Sequence, residues 1–291
     1  MSLDPIARIR RFNRAVTAQT GALDHSFLGR GRPLGLARTL HAISHFGQDV
    51  ATIRAALDLD KAVLSRNLKA LQAEGLVELA ADPADARRKQ ARLTPAGLAE
   101  VAAYDALSDD QAQTLLNRHP RPDALLAAMD LVASALTVDR VDIVAHDPRG
   151  DLARHCLSEY YAELARRFDQ GFDVTLSRDP DAAAMTHPHG TFLIALSDGL
   201  PLGCVGLKGG TDYAEIKRLW VAPAARRLGL SRRLMDAAEA AARTLGITLL
   251  RLDTNSALPE AVALYQTTGW TRINRYNDDP YPDVFFEKQL K

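Results

Sequence analysis

Cysteine is scarce in this chain, and so are the signals that would place it in a membrane or outside the cell. Only two cysteines, Cys156 and Cys204, occur in 291 residues. They lie far apart in sequence, which argues against a disulfide framework or a zinc pattern. No apolar run approaches the roughly 18 residues of a membrane span, and the first residues lack the layout of a secretion signal. We therefore expect a soluble protein of the reducing cytoplasm.

The chain also has no net charge. The 36 basic and 36 acidic side chains cancel, so only local clustering can indicate a nucleic-acid partner. The length favours two domains, because single cores tend to stop growing near about 250–300 residues. The pattern changes from helical to strand-rich after Val138. We therefore expect one domain over residues 1–138 and a second over residues 141–291.

The sequence predicts a mainly helical first domain. Apolar periodicity predicts helices over 6–16, 33–46, 49–57 and 61–74, and the turn Asp58-Leu59-Asp60 joins the last two. Gly75 follows the final helix in the usual position of a left-handed cap. Two short helices joined by a tight turn are typical of a helix-turn-helix. A strand over 76–80, a polar tip over 82–90 and a returning strand over 91–94 predict the hairpin of a winged helix.

Four motifs in this region resemble those of MarR-type regulators: LSRNLKAL at 64–71, EGLV at 74–77, DPADARR at 82–88 and LTPAG at 93–97. The resemblance implies a homodimer that binds a pseudo-palindromic operator in double-stranded DNA. Its DNA-contacting residues would be Lys61, Ser65, Arg66 and Lys69 of the recognition helix and Arg88 of the wing. It also implies that Asp85 and Arg87 brace the wing. The first helix and the helical stretches 95–107 and 108–136 would form the dimer interface.

Two other readings of this domain stay open. The basic residues of the predicted recognition helix can also be a solvated helix face. The winged helix can also serve only for dimerisation or for binding another protein.

The second domain reads as a mixed α/β fold, with helices on both faces of the sheet. We expect strands over 141–144, 191–196, 201–208, 213–221, 248–253 and 284–289. Helices are expected over 152–168, 227–245 and 259–268, and a loop over 173–190.

The segment VAPAARRLGLS at 221–231 leads from a strand into a helix. Its converging backbone N–H groups and the helix dipole predict an anion site. The sequence lacks a Walker loop and a three-glycine dinucleotide fingerprint, which excludes those two kinds of phosphate site.

Arg226, Gly229 and Ser231 resemble the Arg/Gln-x-x-Gly-x-Gly/Ala loop of the GNAT acyltransferases, although Ser231 stands where Gly or Ala is usual. The order of elements is also similar to that family's fold. The resemblance implies acetyl-CoA as cosubstrate, with its pantetheine arm on the main chain of Leu219 and Val221 and Trp220 facing the other side. It also implies that Asn255 hydrogen-bonds this arm. The pyrophosphate would lie on Arg226, Arg227, Leu228, Gly229, Leu230 and Ser231. Tyr265 occupies the position of the family's acid, which protonates the departing thiolate.

Glu215 is the candidate general base. It precedes Leu219 and Val221 by four and six residues, so the period of a strand points it to their face, where a carboxylate can accept the proton of an amine. The alternatives are that Glu215 pairs with Lys217 or Arg218, and that Tyr265 only packs in the core. The acceptor, a small amine or a protein lysine, attacks the thioester directly, so no metal is needed. We expect His187 and His189 to face solvent, and Asp278 and Asp279 to suit a cationic group.

Together these motifs predict a DNA-binding transcriptional regulator joined to an N-acetyltransferase. The alternative is a ligand-sensing repressor whose second domain binds acetyl-CoA without turnover.

Overall fold

The computed structural model describes residues 4–45, 49–82, 85, 88–177, 179–180, 182–210 and 212–290. The chain divides into two compact units, Met1–Pro122 and Asp123–Lys291. The division falls where Pro120 and Pro122 interrupt a helical run, because proline cannot continue a helix interior. The domain limits 1–138 and 141–291 stay a prediction.

The first unit is mainly helical with one hairpin. Its elements are α1 (Pro5–Gln19), α2 (Leu34–His45), α3 (Val50–Leu57), α4 (Lys61–Ala73), β1 (Val77–Ala81), β2 (Lys89–Leu93) and α5 (Pro95–Arg118). The strands β1 and β2 pair antiparallel from Val77↔Leu93 to Ala81↔Lys89. Leucines of α4 pack with residues of α2, α3, β1 and α5 in one apolar core. The predicted winged-helix fold is confirmed.

Side-chain caps begin the two helices of the helix-turn-helix, and a glycine ends the second, as the sequence predicts for Gly75. Asp49 and Asp60 cap the N-termini of α3 and α4 through their side chains. Asp58 adopts a left-handed conformation with φ 52° in the turn between the helices. Gly75 has φ +70°, and the N–H of Leu76 donates to the carbonyl of Leu71 at 3.0 Å. This closes α4 and directs the chain into the wing.

The second unit contains a seven-stranded sheet. Its elements are α6 (Pro122–Thr137), β3 (Asp142–His146), α7 (Asp151–Arg167), β4 (Gly190–Ser197), β5 (Leu200–Lys208), β6 (Ala214–Val221), α8 (Leu230–Thr244), β7 (Leu249–Thr254), α9 (Pro259–Thr267), β8 (Thr271–Ile273) and β9 (Val284–Gln289). The strand order is β3-β4-β5-β6-β7-β9-β8. Within the sheet, β6 and β7 pair in parallel and the other pairs are antiparallel. The predicted mixed sheet is confirmed. The three-residue strand β8 was not predicted, because so short a segment shows no period.

Two apolar cores cover the two faces of this sheet. On one face, Leu234 and Met235 of α8 pack with Leu207 of β5 and Ile216 of β6. We call this the α8 face. On the opposite face, the α7 face, Cys156 of α7 packs with Cys204 and Trp220. In the part of the chain that the structure describes, no helix is long and apolar enough to span a membrane.

Candidate functional site

The strand β6 carries a bulge that shifts its side chains from one face to the other. Its register with β5 is irregular between Cys204 and Gly206, where Trp220 and Lys217 are the partners. Arg218 lies in this bulge with φ 60°, a conformation that costs a residue with a side chain about 1–3 kcal/mol. The bulge therefore changes which residues of β6 share a face.

This shift corrects the expected orientation of Glu215. Ala214 and Ile216, its neighbours, lie in the core of the α8 face, and Leu219 and Val221 pack against the same core. Glu215 therefore points to the opposite face, because neighbouring residues of a strand alternate. The prediction that Glu215, Leu219 and Val221 share a face is wrong, since one extra residue reverses the period of two. Trp220 does face away from Leu219 and Val221.

Next to the bulge, β6 and β7 separate. Their pairing consists of Ala214↔Leu250, Glu215↔Arg251 and Ile216↔Leu252. β6 continues to Val221 and β7 to Thr254. Beyond Ile216 the edge of β6 that faces β7 is open to another hydrogen-bonding partner. An extended molecule with amide groups can bind such an edge as an added strand does.

The predicted cradle lies at the N-terminus of α8. Gly229 precedes the helix with φ 80°, and the first turn, which starts at Leu230, contains no acidic residue. The N–H of Arg233 donates to the carbonyl of Gly229 at 3.2 Å. The N–H groups before Arg233 have no carbonyl one turn earlier in the helix. These N–H groups and the helix dipole together favour the binding of an anion at the N-terminus of α8.

A groove of about 620 Å³ runs from this cradle along β6, and we call it the α8 groove. Its volume lies within the range of small-molecule sites, about 300–1,000 Å³. Residues from the cradle, β6, α7 and α9 line it, among them Arg226, Arg227, Leu230, Ser231, Leu219 and Val221. The structure therefore brings together six of the predicted cofactor-binding residues.

The side chain of Arg226 has protein partners at the edge of this groove. Its Nε donates to the carbonyl of Val221 at 3.0 Å, and its Nη2 donates to Glu163 Oε2 at 2.5 Å. Glu163 also accepts from Arg167 at 3.2 Å, and Arg167 pairs with Glu260, whose pKa the guanidinium lowers. The charge of Arg226 is thus held by a carboxylate that an anionic ligand would have to displace.

A second cavity lies between β6 and β7, and we call it the central cavity. It shares Tyr160, Leu164, Leu219, Leu258 and Ala261 with the α8 groove. Its other lining residues include Ser177, Lys217, Arg218, Asp253, Asn255, Tyr265, Asp279 and Tyr281. A molecule in the α8 groove can therefore reach polar groups in the central cavity.

Lys217 joins two buried carboxylates beside this cavity. Its Nζ lies 2.7 Å from Asp253 Oδ2 and 3.8 Å from Glu215 Oε1. Asp253 Oδ2 also accepts from Asn277 Nδ2 at 2.6 Å. Burial and the charges of Asp253 and Glu215 raise the pKa of Tyr276. Asp253 lines the central cavity, whereas Glu215 lies outside the lining residues of both cavities.

Tyr265 and Asn255 both reach the central cavity. Burial, reinforced by the nearby Tyr160 and Asp253, raises the pKa of Tyr265, so its hydroxyl stays protonated at neutral pH. The Asn255 side chain donates to the carbonyl of Tyr281 at 2.6 Å and accepts from the N–H of Ala257 at 2.8 Å. It braces the rim of the cavity through these bonds.

In the first unit, the predicted DNA-contacting residues of α4 share an exposed face. Lys61, Ser65, Arg66 and Lys69 are exposed, while Leu64, Leu68 and Leu71 are buried. Arg88 of the wing lies 3.2 Å from Asp49, the cap of α3. Arg87, predicted to pair with Asp85, lies outside the described residues.

Lys217, Arg218 and Asp253 are among the polar residues of the central cavity to which sequence reasoning gave no role in the site. Asp253 had a signal, because it lies at the carboxyl end of β7, the strand parallel to β6, and ligands bind at the carboxyl ends of such strands. Arg218 had none, since the bulge that directs it is not visible in the apolar pattern. His187 and His189 are exposed, as expected.

Two family models match separate parts of the chain. The model described as the MarR family matches residues 36–88, and the model described as the acetyltransferase (GNAT) family matches residues 157–270. Each match falls within one of the two compact units.

Curated relatives and solved structures are similar to part of the chain. An uncharacterized N-acetyltransferase of Schizosaccharomyces pombe is 34% identical over 124 residues, 40% of this chain and 76% of the relative. An IAA acetyltransferase of Azospirillum brasilense is 33% identical over 115 residues, 38% of this chain and 74% of the relative. A GNAT-family acetyltransferase structure from Staphylococcus aureus Mu50 aligns with 52% of this chain and 99% of its own, at 17% identity and a TM-score of 0.46.

Proposed function

Because this chain belongs to the GNAT acetyltransferase family and joins that domain to a MarR-type winged helix, we propose that it transfers acetyl from acetyl-CoA to an amine and binds DNA. The observation that carries the transferase proposal is the opening between β6 and β7, which lies beside the cradle of α8. One molecule with a pyrophosphate at one end and an amide-containing arm can occupy both. Acetyl-CoA has this layout, and its thioester would then enter the central cavity.

The transfer needs no covalent intermediate with the protein. The amine nitrogen attacks the thioester carbonyl, a C–N bond forms, and the C–S bond breaks to release coenzyme A. The amine loses a proton to a carboxylate, and the sulfur takes a proton from the Tyr265 hydroxyl. The Tyr265 hydroxyl carries its proton at neutral pH, and burial raises its pKa further.

Glu215 is our candidate for the carboxylate, acting through a water because it does not line the central cavity. Asp253 competes for this role, since it lines the cavity and shares Lys217 with Glu215.

The transferase proposal is tested by coenzyme A release. The full chain is mixed with acetyl-CoA and a panel of small amines, amino acids and lysine peptides, and free thiol and acetylated product are both measured. We expect stoichiometric acetylated amine with at least one acceptor. Acetyl-CoA binding without turnover on any acceptor would instead support a ligand-sensing regulator.

The proposal of DNA binding is carried by the exposed polar face of α4 above three buried leucines. Such a helix can enter a major groove while its apolar side stays in the core. A gel shift on the protein's own promoter, at several salt concentrations, tests this. We expect saturable binding that weakens with salt. Its absence would leave the winged helix a dimerisation or protein-binding module.

Exposed apolar side chains support the proposal that the chain forms a homodimer. Ile6, Ile9 and Phe12 on α1 are 55%, 57% and 44% exposed, which is unusual for a helix that has no partner. Light scattering on the purified chain should give twice the mass of 31.7 kDa. A monomer at micromolar concentration would contradict the dimer.

A further inference from the structure

Among the polar groups of the central cavity, Arg218 has no assigned role. We propose that the acceptor amine carries a carboxylate and that the guanidinium of Arg218 binds this carboxylate. The inference rests on the proposed acetyl transfer and names the class of acceptor. It concerns a group of the acceptor other than the reacting amine.

Arg218 is a buried charge. Only 7% of the residue is exposed, and within the described part of the chain it has no carboxylate within ion-pair distance. Its Nη2 donates to Ser177 Oγ and to the carbonyl of Asp179, each at 2.9 Å. Its Nε is buried without a hydrogen-bond acceptor among these residues. A buried guanidinium stays charged and is costly without an anion.

The anion that would bind Arg218 is not a phosphate of the cosubstrate. Arg218 lines the central cavity but does not line the α8 groove, where the cradle of α8 lies. Its neighbour Leu219 lines both. Arg218 therefore borders the space where the acceptor must approach the thioester, and its guanidinium is bonded to Ser177, which lines the same cavity.

A carboxylate matches the groups that this space offers. A guanidinium donates charge-assisted hydrogen bonds to a carboxylate, and the Ser177 hydroxyl lies beside it. The ring of Tyr161 lies under the guanidinium, 5.0 Å from its Cζ, and fixes its plane. Phe168, Phe172 and Tyr281 form an aromatic wall of the cavity. The acceptor is therefore a small carboxylate-bearing amine with an apolar side chain, such as an apolar amino acid.

The test compares pairs of molecules that differ only in this carboxylate. Acetylation of L-leucine and of L-leucinamide is measured as kcat/KM. Binding of N-acetyl-L-leucine and of N-acetyl-L-leucinamide to the full chain with coenzyme A is measured by calorimetry. The acetylated pair has no free amine, which removes differences in amine basicity and makes the binding readout independent of turnover.

We expect the carboxylate forms to be preferred by about 10- to 100-fold, the usual contribution of a charge-assisted hydrogen-bond pair. In Arg218→Met this ratio falls to about one, and Arg218→Lys retains only part of it. The control Arg251→Met keeps the full ratio, because Arg251 pairs with Glu287 and lines neither cavity. The melting temperature of each variant reports whether it folds.

Equal values for acid and amide in the wild-type protein would overturn the inference, and so would a preference that survives in a folded Arg218→Met. The two proposals can fail separately. Tighter binding of N-acetyl-L-leucine without turnover of any amine would retain the carboxylate site and reject the transferase. Efficient turnover without preference for the carboxylate would do the reverse.

Discussion

The helix α4 and the strand β6 both carry the arginines on which the proposed functions depend, but they position them in opposite ways. Arg66 projects from a regular helix whose leucines are buried, so its exposure follows from the period of the helix. Arg218 is buried because a bulge interrupts the period of the strand. The regular helix α4 thus exposes its polar side chains on a surface where a large partner can bind. The bulged strand β6 instead places its polar side chains beside a cavity.

The largest effect is expected at the carboxylates beside β6. Glu215→Gln should lower kcat by about 100-fold or more, because an amide cannot accept the proton of the amine. Steady-state kinetics with the best acceptor measures this, with Asp253→Asn as the comparison. A normal rate in Glu215→Gln together with a large loss in Asp253→Asn would move the role to Asp253.

Tyr265→Phe should lower kcat by roughly 10- to 100-fold, since water must then protonate the thiolate. The affinity for acetyl-CoA should stay the same, because the substitution removes one hydroxyl from the central cavity and nothing from the α8 groove. Tyr213→Phe, a tyrosine that lines neither cavity, is the matched control. An unchanged kcat in Tyr265→Phe would leave Tyr265 as a packing residue.

On α4, Arg66→Ala should weaken operator binding by about tenfold and reduce the slope of log K against log salt by about one. The matched control is Arg166→Ala, which removes the same charge from the exposed surface of α7 in the second unit. Gel shifts at several salt concentrations compare them. Equal losses in both variants would mean that the exposed face of α4 is not the DNA surface.

A smaller effect is expected at the edge of the α8 groove. Glu163→Gln should strengthen acetyl-CoA binding by about threefold, because Arg226 would no longer be held by a carboxylate. Calorimetry on the two proteins measures this difference. Weaker binding in the variant would show that Glu163 organises the groove rather than competing with the ligand.

The same contrast explains how far the sequence could predict the fold and the site. The apolar periodicity and the cap at Gly75 predicted α3, α4 and the wing, because these signals depend on residues close together in the sequence. In the second unit the order of helices and strands along the chain was also predictable, and the cradle at Gly229 stays a prediction. The face of Glu215 was predicted wrongly, since the bulge at Arg218 depends on the pairing of β6 with β5. The pair of Lys217 with Asp253 depends on the separation of β6 from β7. Such features arise from contacts between strands, which the local pattern does not contain.

The central claim, that the cradle of α8 binds the pyrophosphate of acetyl-CoA, is tested most directly by calorimetric titration of acetyl-CoA into Ser231→Glu. A carboxylate in the first turn suits the dipole of the helix, so the melting temperature should not fall. It would repel the pyrophosphate, and we expect affinity to fall by about 100-fold. Ala240→Glu adds the same charge to an exposed position far along α8 and should bind normally. Wild-type affinity in a folded Ser231→Glu would contradict the account.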